Sequence, residues 1–423
     1  MAAARAARTV RAEWSRHSPT AMGRNPPHRS WARATSAGSR FQSRFHPLTA
    51  SLLATPAPVA RLVARGVGEF AAARVNDRMV QVSTEISDAE AAPPAQAKRR
   101  SGRFRAKLRD ARRLEELGIL LALVAMFVIV SAFHPQFRGI ASVANLLQQA
   151  AFYGIIALGM VFVLSMGEVD LSVGGNMGFS AICCALLVSK GVNPWFAMLT
   201  ALVIGAALGM FNAVVANTFR LPMIIVTLGT LSMYRGATLV ISGGQTVTGG
   251  DTTSSFFTIF GESFHSIPAA AIAFAVLTVV MTLAYRKSAF AFAVRAVGSN
   301  PTAARLSGYP IGRIRLYVAG LIGVLCAIAG ILSYAFFQAT DPGLGTGIEL
   351  QAIAAAVIGG TALSGGRGTV PGAVLGALVI SVIGGALTQF GVSINWANFV
   401  TGAVIVGTVS LDALVKRRKE VGV

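Results

Sequence analysis

From residue 117 onward the chain is a succession of long apolar runs separated by short polar breaks. Residues 117–133, 146–166, 171–189, 194–219, 266–285 and 316–340 carry no charged side chain, and a seventh run, 221–242, is interrupted only by Arg235. A helix rises 1.5 Å per residue, so about 20 apolar residues cross ~30 Å of hydrocarbon with every backbone polar group bonded inside the helix. A shorter run covers 350–366, and an uncharged stretch, 368–411, is too long for one crossing and is divided by the polar segment 389–398. The pattern predicts an all-α, polytopic membrane protein with about ten spans.

Basic residues give an independent check, because Lys and Arg collect on the cytoplasmic side of spans. The densest clusters are 98–113, 286–315 and the terminal Lys416-Arg417-Arg418-Lys419. Six predicted spans separate the first two clusters and four the last two, so all three share one face. Both termini are then expected in the cytoplasm. The glycine-rich run 350–366 is the shortest, and reading it as re-entrant would break that parity.

Composition refines the picture. The chain is 54% hydrophobic and 13% charged, yet residues 1–113 hold 22 of the 37 Lys and Arg and only 7 of the 17 Asp and Glu. Most of the net charge of +20 therefore belongs to this leader. It lacks an interleaved basic and aromatic stripe and any zinc-finger spacing, so attraction to anionic membrane lipid is expected in preference to nucleic acid. Residues 1–113 are rich in Ala, Arg, Ser and Pro, and are expected to be disordered. Four readings of them stay open: upstream sequence included by a misplaced start, a cytosolic tail, an Arg- and Ser-rich targeting segment, or a nucleic-acid-binding segment. The expected division is leader 1–113, membrane domain 114–415 and cytoplasmic tail 416–423. Cys183, Cys184 and Cys326 all fall in apolar runs, where a thiol behaves as a small hydrophobe.

Two segments carry the candidate chemistry. Gly167-Glu168-Val169-Asp170-Leu171-Ser172-Val173-Gly174-Gly175 places two carboxylates at a glycine-bounded break between apolar runs, just ahead of Asn176. Carboxylates near membrane depth are costly and are paired or functional. Asp170 or Ser172 could cap the following helix while Glu168 sits in interfacial water, or the break could line a transport path; the two roles are compatible. The second segment is the basic loop, with Gly298, Asn300, Pro301, Ala303, Ala304, Arg305, Ser307 and Gly308. Asn300-Pro301 is a helix start and Gly308 a helix stop, which predicts a short cytosolic helix offering a rigid surface to a soluble partner.

These segments, with 320–333 and Gly347-Ile348-Glu349-Leu350-Gln351 running on to Gly359-Gly360-Thr361 and Gly365-Gly366-Arg367-Gly368, resemble the permeases of ribose-type ABC importers. Residues 167–175 are similar to that family's Gly-x-Ile-Asp-Leu-Ser-Val-Gly motif, with Val169 for its Ile and Glu168 where Gly is frequent. The resemblance covers about 114–415. It implies a bacterial inner-membrane subunit that pairs with itself or a homologue and receives a monosaccharide from a periplasmic binding protein. It also implies that a separate cytosolic ATPase with two nucleotide-binding cassettes drives transport, with residues 296–308 as the coupling segment. No cofactor is implied, since ATP is bound by the partner.

Other polar positions within runs are Gln148, Gln149, Asn212, Thr227, Arg235, Gln351 and Asn395. They could line a path for a hydroxyl-bearing cargo or simply bond helix to helix. Arg235 additionally needs a carboxylate, an aqueous cavity or a place near the interface. Glu349 suits a helix N-terminus. Enzymatic chemistry is not expected: the chain has no Gly-Lys dipeptide for a phosphate loop, and its five histidines lack metal-ligand spacing. The rival readings are an ion-coupled carrier with Glu168, Asp170 and Arg235 as a relay, and a branched-chain amino-acid permease.

Overall fold

The structure, a computed structural model, describes residues 116–250 and 253–393 and part of 396–410; the leader 1–113 and tail 416–423 lie outside the described residues. Helices account for nearly all of it. Helix α1 is Glu116–Phe133, followed by a 3-10 turn, Pro135–Arg138. Then come α2 Ile140–Ser165, α3 Val173–Ser189, α4 Pro194–Phe219 and α5 Met223–Ser242. The short α6 Ser255–Gly261 precedes α7 Ala269–Lys287, α8 Ala289–Ser299, α9 Pro301–Leu306 and α10 Ile311–Phe337. Last are α11 Ile348–Ile358 and α12 Val370–Gln389. Two tiny antiparallel ladders complete it: β1 Val247–Thr248 with β4 Ala339–Thr340, and β2 Ser263–Phe264 with β3 Ile267–Pro268.

Among the described residues seven helices, α1, α2, α4, α5, α7, α10 and α12, are long and apolar enough to cross a membrane. Their outward faces carry large apolar side chains such as Leu121, Val203, Val240 and Val279, each more than half exposed, as hydrocarbon rather than water requires. Helices α2 and α10 form the centre; most of α2 from Ala150 to Ser165 is buried.

Glycine decides how closely the helices approach. A Cβ on Gly205 or Gly209 of α4 would collide with the α10 backbone at Gly323 and Ala319 respectively. Position rises on one helix as it falls on the other, so the two run antiparallel. Gly372 and Gly376 of α12 seat in the same way against Gly359 and Ala355, at the end and in the last turn of α11. Small residues four apart are thus the contact stripe of each pair.

Two crossings are interrupted. Helix α3 has 17 residues and α11 only 11, and each follows a non-helical stretch, 166–172 and 338–347. The two meet where Gly174 backs onto Gly345; a Cβ on either would run into the other's carbonyl. Irregular backbone at membrane depth is tolerated only where protein buries it or a cavity adjoins it. The run expected over 350–366 therefore yields a half-length helix, because Gly360, Gly365 and Gly366, all at positive φ, turn the chain out of helical geometry. Conversely, α2 begins six residues before the apolar run at 146, since the 3-10 turn and Gly139 launch it at Ile140.

Candidate functional site

At the end of α2, Gly167 turns the chain at φ 80° and releases the segment bearing Glu168 and Asp170. Asp170 is 1% exposed, and its Oδ1 accepts from the amide of Ser172 at 2.8 Å and the hydroxyl of Ser172 at 2.6 Å. Ser172 occupies the N-cap position of α3 but makes no side-chain cap bond; Asp170 has drawn its hydroxyl away. Asn212 of α4 donates Nδ2 to Ser172 Oγ at 2.8 Å, and the hydroxyl of Tyr234 on α5 shares its hydrogen between the Leu208 carbonyl at 2.9 Å and Asn212 Oδ1 at 3.0 Å. Four side chains thus form one directed chain ending on a carboxylate. By helical rise, Asn212 stands about 10 Å from the end of α4 at Phe219 and Tyr234 about 16 Å from the start of α5, which is interior depth.

Glu168 is held separately. Its Oε1 accepts from Arg315 Nε at 2.7 Å, and Arg315 Nη1 donates to Asn217 Oδ1 at 2.6 Å. Asn217 Nδ2 in turn reaches the carbonyl of Gly312 at 2.9 Å. Instead of lying in interfacial water, Glu168 pins the loop to the C-terminal turn of α4 and the first turn of α10.

Arg235 has found a carboxylate. Its Nη2 lies 2.9 Å from Oε1 of Glu349 in the first turn of α11, and the side chains are 34% and 11% exposed. Glu349 Oε2 is buried and has no hydrogen-bond partner among the described residues. It packs over Gly174, where any Cβ would strike it.

The remaining candidates are scattered. Asn176 donates to the Gly205 carbonyl at 3.0 Å and accepts from Ser180 at 3.0 Å, tying α3 to α4. Thr227 is buried and bonds back to its own helix at Ile224 O. Gln148 is buried with neither side-chain polar atom partnered among the described residues, whereas Gln149 is exposed. Gln351 is half-buried, and Asn395 lies outside the described residues.

The basic loop folds as two short helices, α8 and α9. Asn300 caps α9 by accepting from the amide of Ala303 at 3.0 Å, Pro301 occupies its first turn, and Gly308 leaves it at φ 83°. Ala304 is the buried residue of α9, while Leu306 is 86% exposed. Gly298 packs directly on the carbonyl of Ser165 and the amide of Gly366, and Gly366 donates to that same carbonyl at 2.9 Å. The loop therefore bears on the last turn of α2, immediately before Gly167 and Glu168.

Residues 142–409 match the family described as the permease component of branched-chain amino acid transport systems. The chain belongs to this permease family. The ribose import permease protein RbsC of Bacillus subtilis (strain 168) is 37% identical over 300 residues, covering 71% of this chain and 93% of the relative. RbsC of Escherichia coli (strain K12) is 34% identical over 301 residues, covering 71% and 94%. The autoinducer 2 import system permease protein LsrC of Enterobacter sp. (strain 638) is 33% identical over 302 residues, covering 71% and 88%. As an ABC permease the chain is a multi-pass transport subunit and not an enzyme.

Three residues of the permease's polar networks escaped sequence reasoning: Tyr234, Asn217 and the pairing role of Arg315. Tyr234 is marked only by its place on the stripe Thr227, Thr230, Tyr234, Thr238, the buried polar face of α5 at helical spacing. Arg315 is indistinguishable in sequence from its neighbour Arg313, since both count equally toward the basic cluster 286–315.

Proposed function

We propose that this permease carries a monosaccharide, of the ribose type or a related sugar or polyol, inward across the bacterial inner membrane. A periplasmic sugar-binding protein delivers the cargo, a cytosolic ATPase with two nucleotide-binding cassettes supplies the energy, and a second permease copy completes the channel. Residues 114–415 form the transport body, with both termini in the cytoplasm, and residues 296–308 engage the ATPase. Sugar rather than a branched-chain amino acid is favoured by relatives at 33–37% identity named as ribose and autoinducer 2 permeases.

The observation that carries the reading is the seat of Gly298 on Ser165. Through it, a push on a capped surface helix reaches the segment that holds Glu168, Asp170 and Ser172. An ion relay is poorly served by the same residues, because Glu168 and Arg235 each belong to a different ion pair. Reconstitution with its ATPase and binding protein in proteoliposomes tests the proposal. D-ribose-loaded binding protein should stimulate ATP hydrolysis and drive labelled D-ribose across the bilayer; stimulation without transport of any monosaccharide would overturn the assignment of cargo.

A further inference from the structure

Glu349 lies where the two interrupted crossings meet. It opens the half-length helix α11, about 13 Å from that helix's end at Ile358 by helical rise, and so sits well inside the hydrocarbon slab. A carboxylate there is expensive unless every oxygen is satisfied. Here Arg235 satisfies Oε1 at 2.9 Å, while Oε2 is buried with no partner among the described residues. The fold also reserves room for it, because Gly174 lacks the Cβ that would collide with Oε2. Arg235 remains 34% exposed, so the pair borders accessible space on the α5 side. One residue earlier, Tyr234 enters the other polar chain through Asn212 and Ser172.

A buried, half-satisfied carboxylate between two broken helices is a poor structural strut: a hydrophobic pair would hold α5 to α11 at least as well. It is, however, a ready acceptor for a hydroxyl group that arrives when the helices part. We propose that Glu349, positioned by Arg235, is a cargo-contacting residue at mid-membrane, its Oε2 accepting a hydrogen bond from one hydroxyl of the passing sugar. The guanidinium offers its remaining donors to a neighbouring sugar oxygen. The ion pair is neutral overall, which suits an uncharged polyhydroxylated solute. This rests on the sugar-permease reading and adds to it a residue and a chemical contact.

The test compares wild type with Glu349→Gln and the exchanged pair Arg235→Glu with Glu349→Arg, in vesicles containing the complete importer. Initial uptake of D-ribose and of its monodeoxy analogues is measured at saturating binding protein and equal membrane abundance by immunoblot. Glu349→Gln should lower D-ribose uptake about tenfold and change the ratio of ribose to at least one deoxy analogue by threefold or more, because one hydroxyl contact is lost. The exchanged pair should remain defective, since an arginine at 349 offers donors where an acceptor is needed. Recovery of uptake in the exchanged pair would overturn the proposal. So would an equal loss for every sugar, or no loss at all, in Glu349→Gln; either would leave the pair a structural tie. Failure of wild type to move any monosaccharide would count against the cargo class, not against this residue.

Discussion

Gly298 rests its α-carbon on the main-chain carbonyl of Ser165, an oxygen that also accepts the amide of Gly366 at 2.9 Å. No side chain fits between them, so helices α8 and α9, the end of α2 and the turn after α11 share a three-way backbone contact. Introducing even a methyl group forces these segments apart at a cost of about 1–3 kcal/mol. Gly298→Ala is expected to reach the membrane in normal amount but to lose most D-ribose uptake, and Gly298→Val to lose all of it. Uptake normalised to immunoblotted chain checks this.

The capped helix α9 should act as a rigid body. Replacing residues 300–305 with a flexible Gly/Ser segment removes the Asn300 cap and Pro301 together, leaving the spans untouched. Membrane insertion is expected to persist while coupled uptake disappears. ATP hydrolysis stimulated by loaded binding protein is the readout; unchanged stimulation would exclude 296–308 as the coupling segment.

Arg315 and Glu168 bind three elements at once, with side chains 21% and 16% exposed. Losing a charge-assisted hydrogen bond of this kind costs about 2 kcal/mol. Arg315→Ala should therefore lower the thermal midpoint of the detergent-purified permease measurably, and Arg315→Lys should lower it less, because lysine keeps the charge but lacks the planar fork by which Nε and Nη1 serve Glu168 and Asn217. A fluorescence melt distinguishes the three chains.

The glycine stripe of α4 sets the spacing to α10. Gly209→Leu is expected to prevent close approach at Ala319 and to yield a chain that aggregates on size exclusion in mild detergent. Gly229→Leu on the neighbouring helix meets open space and should behave as wild type.

Much of this is legible in the sequence itself. Uncharged runs such as 194–219 became helices with the same bounds, because in hydrocarbon a helix is the one local solution for the backbone. Asn300-Pro301 and Gly308 marked α9 through capping chemistry that acts within a few residues. What the sequence concealed is long-range. Arg235 declared that it needed a counter-charge, but Glu349 lies 114 positions away and looked like an ordinary first-turn acid. Asp170 and Ser172 read as competing caps, whereas the structure makes one the acceptor of the other. The half-length α11 was ambiguous for the same reason: whether a glycine-rich run spans or breaks depends on what its glycines pack against, here Gly372 for Gly359 and Gly298 for Gly365.

The source of energy divides this account from its rival most cleanly. Labelled D-ribose uptake by cells expressing the complete importer can be followed while ionophores collapse the proton and sodium gradients, and separately while ATP is depleted with the gradients maintained. Uptake that continues through the first treatment and stops in the second is the expected result. Uptake that stops with the gradients and continues without ATP would contradict the assignment of this chain as an ATP-driven permease.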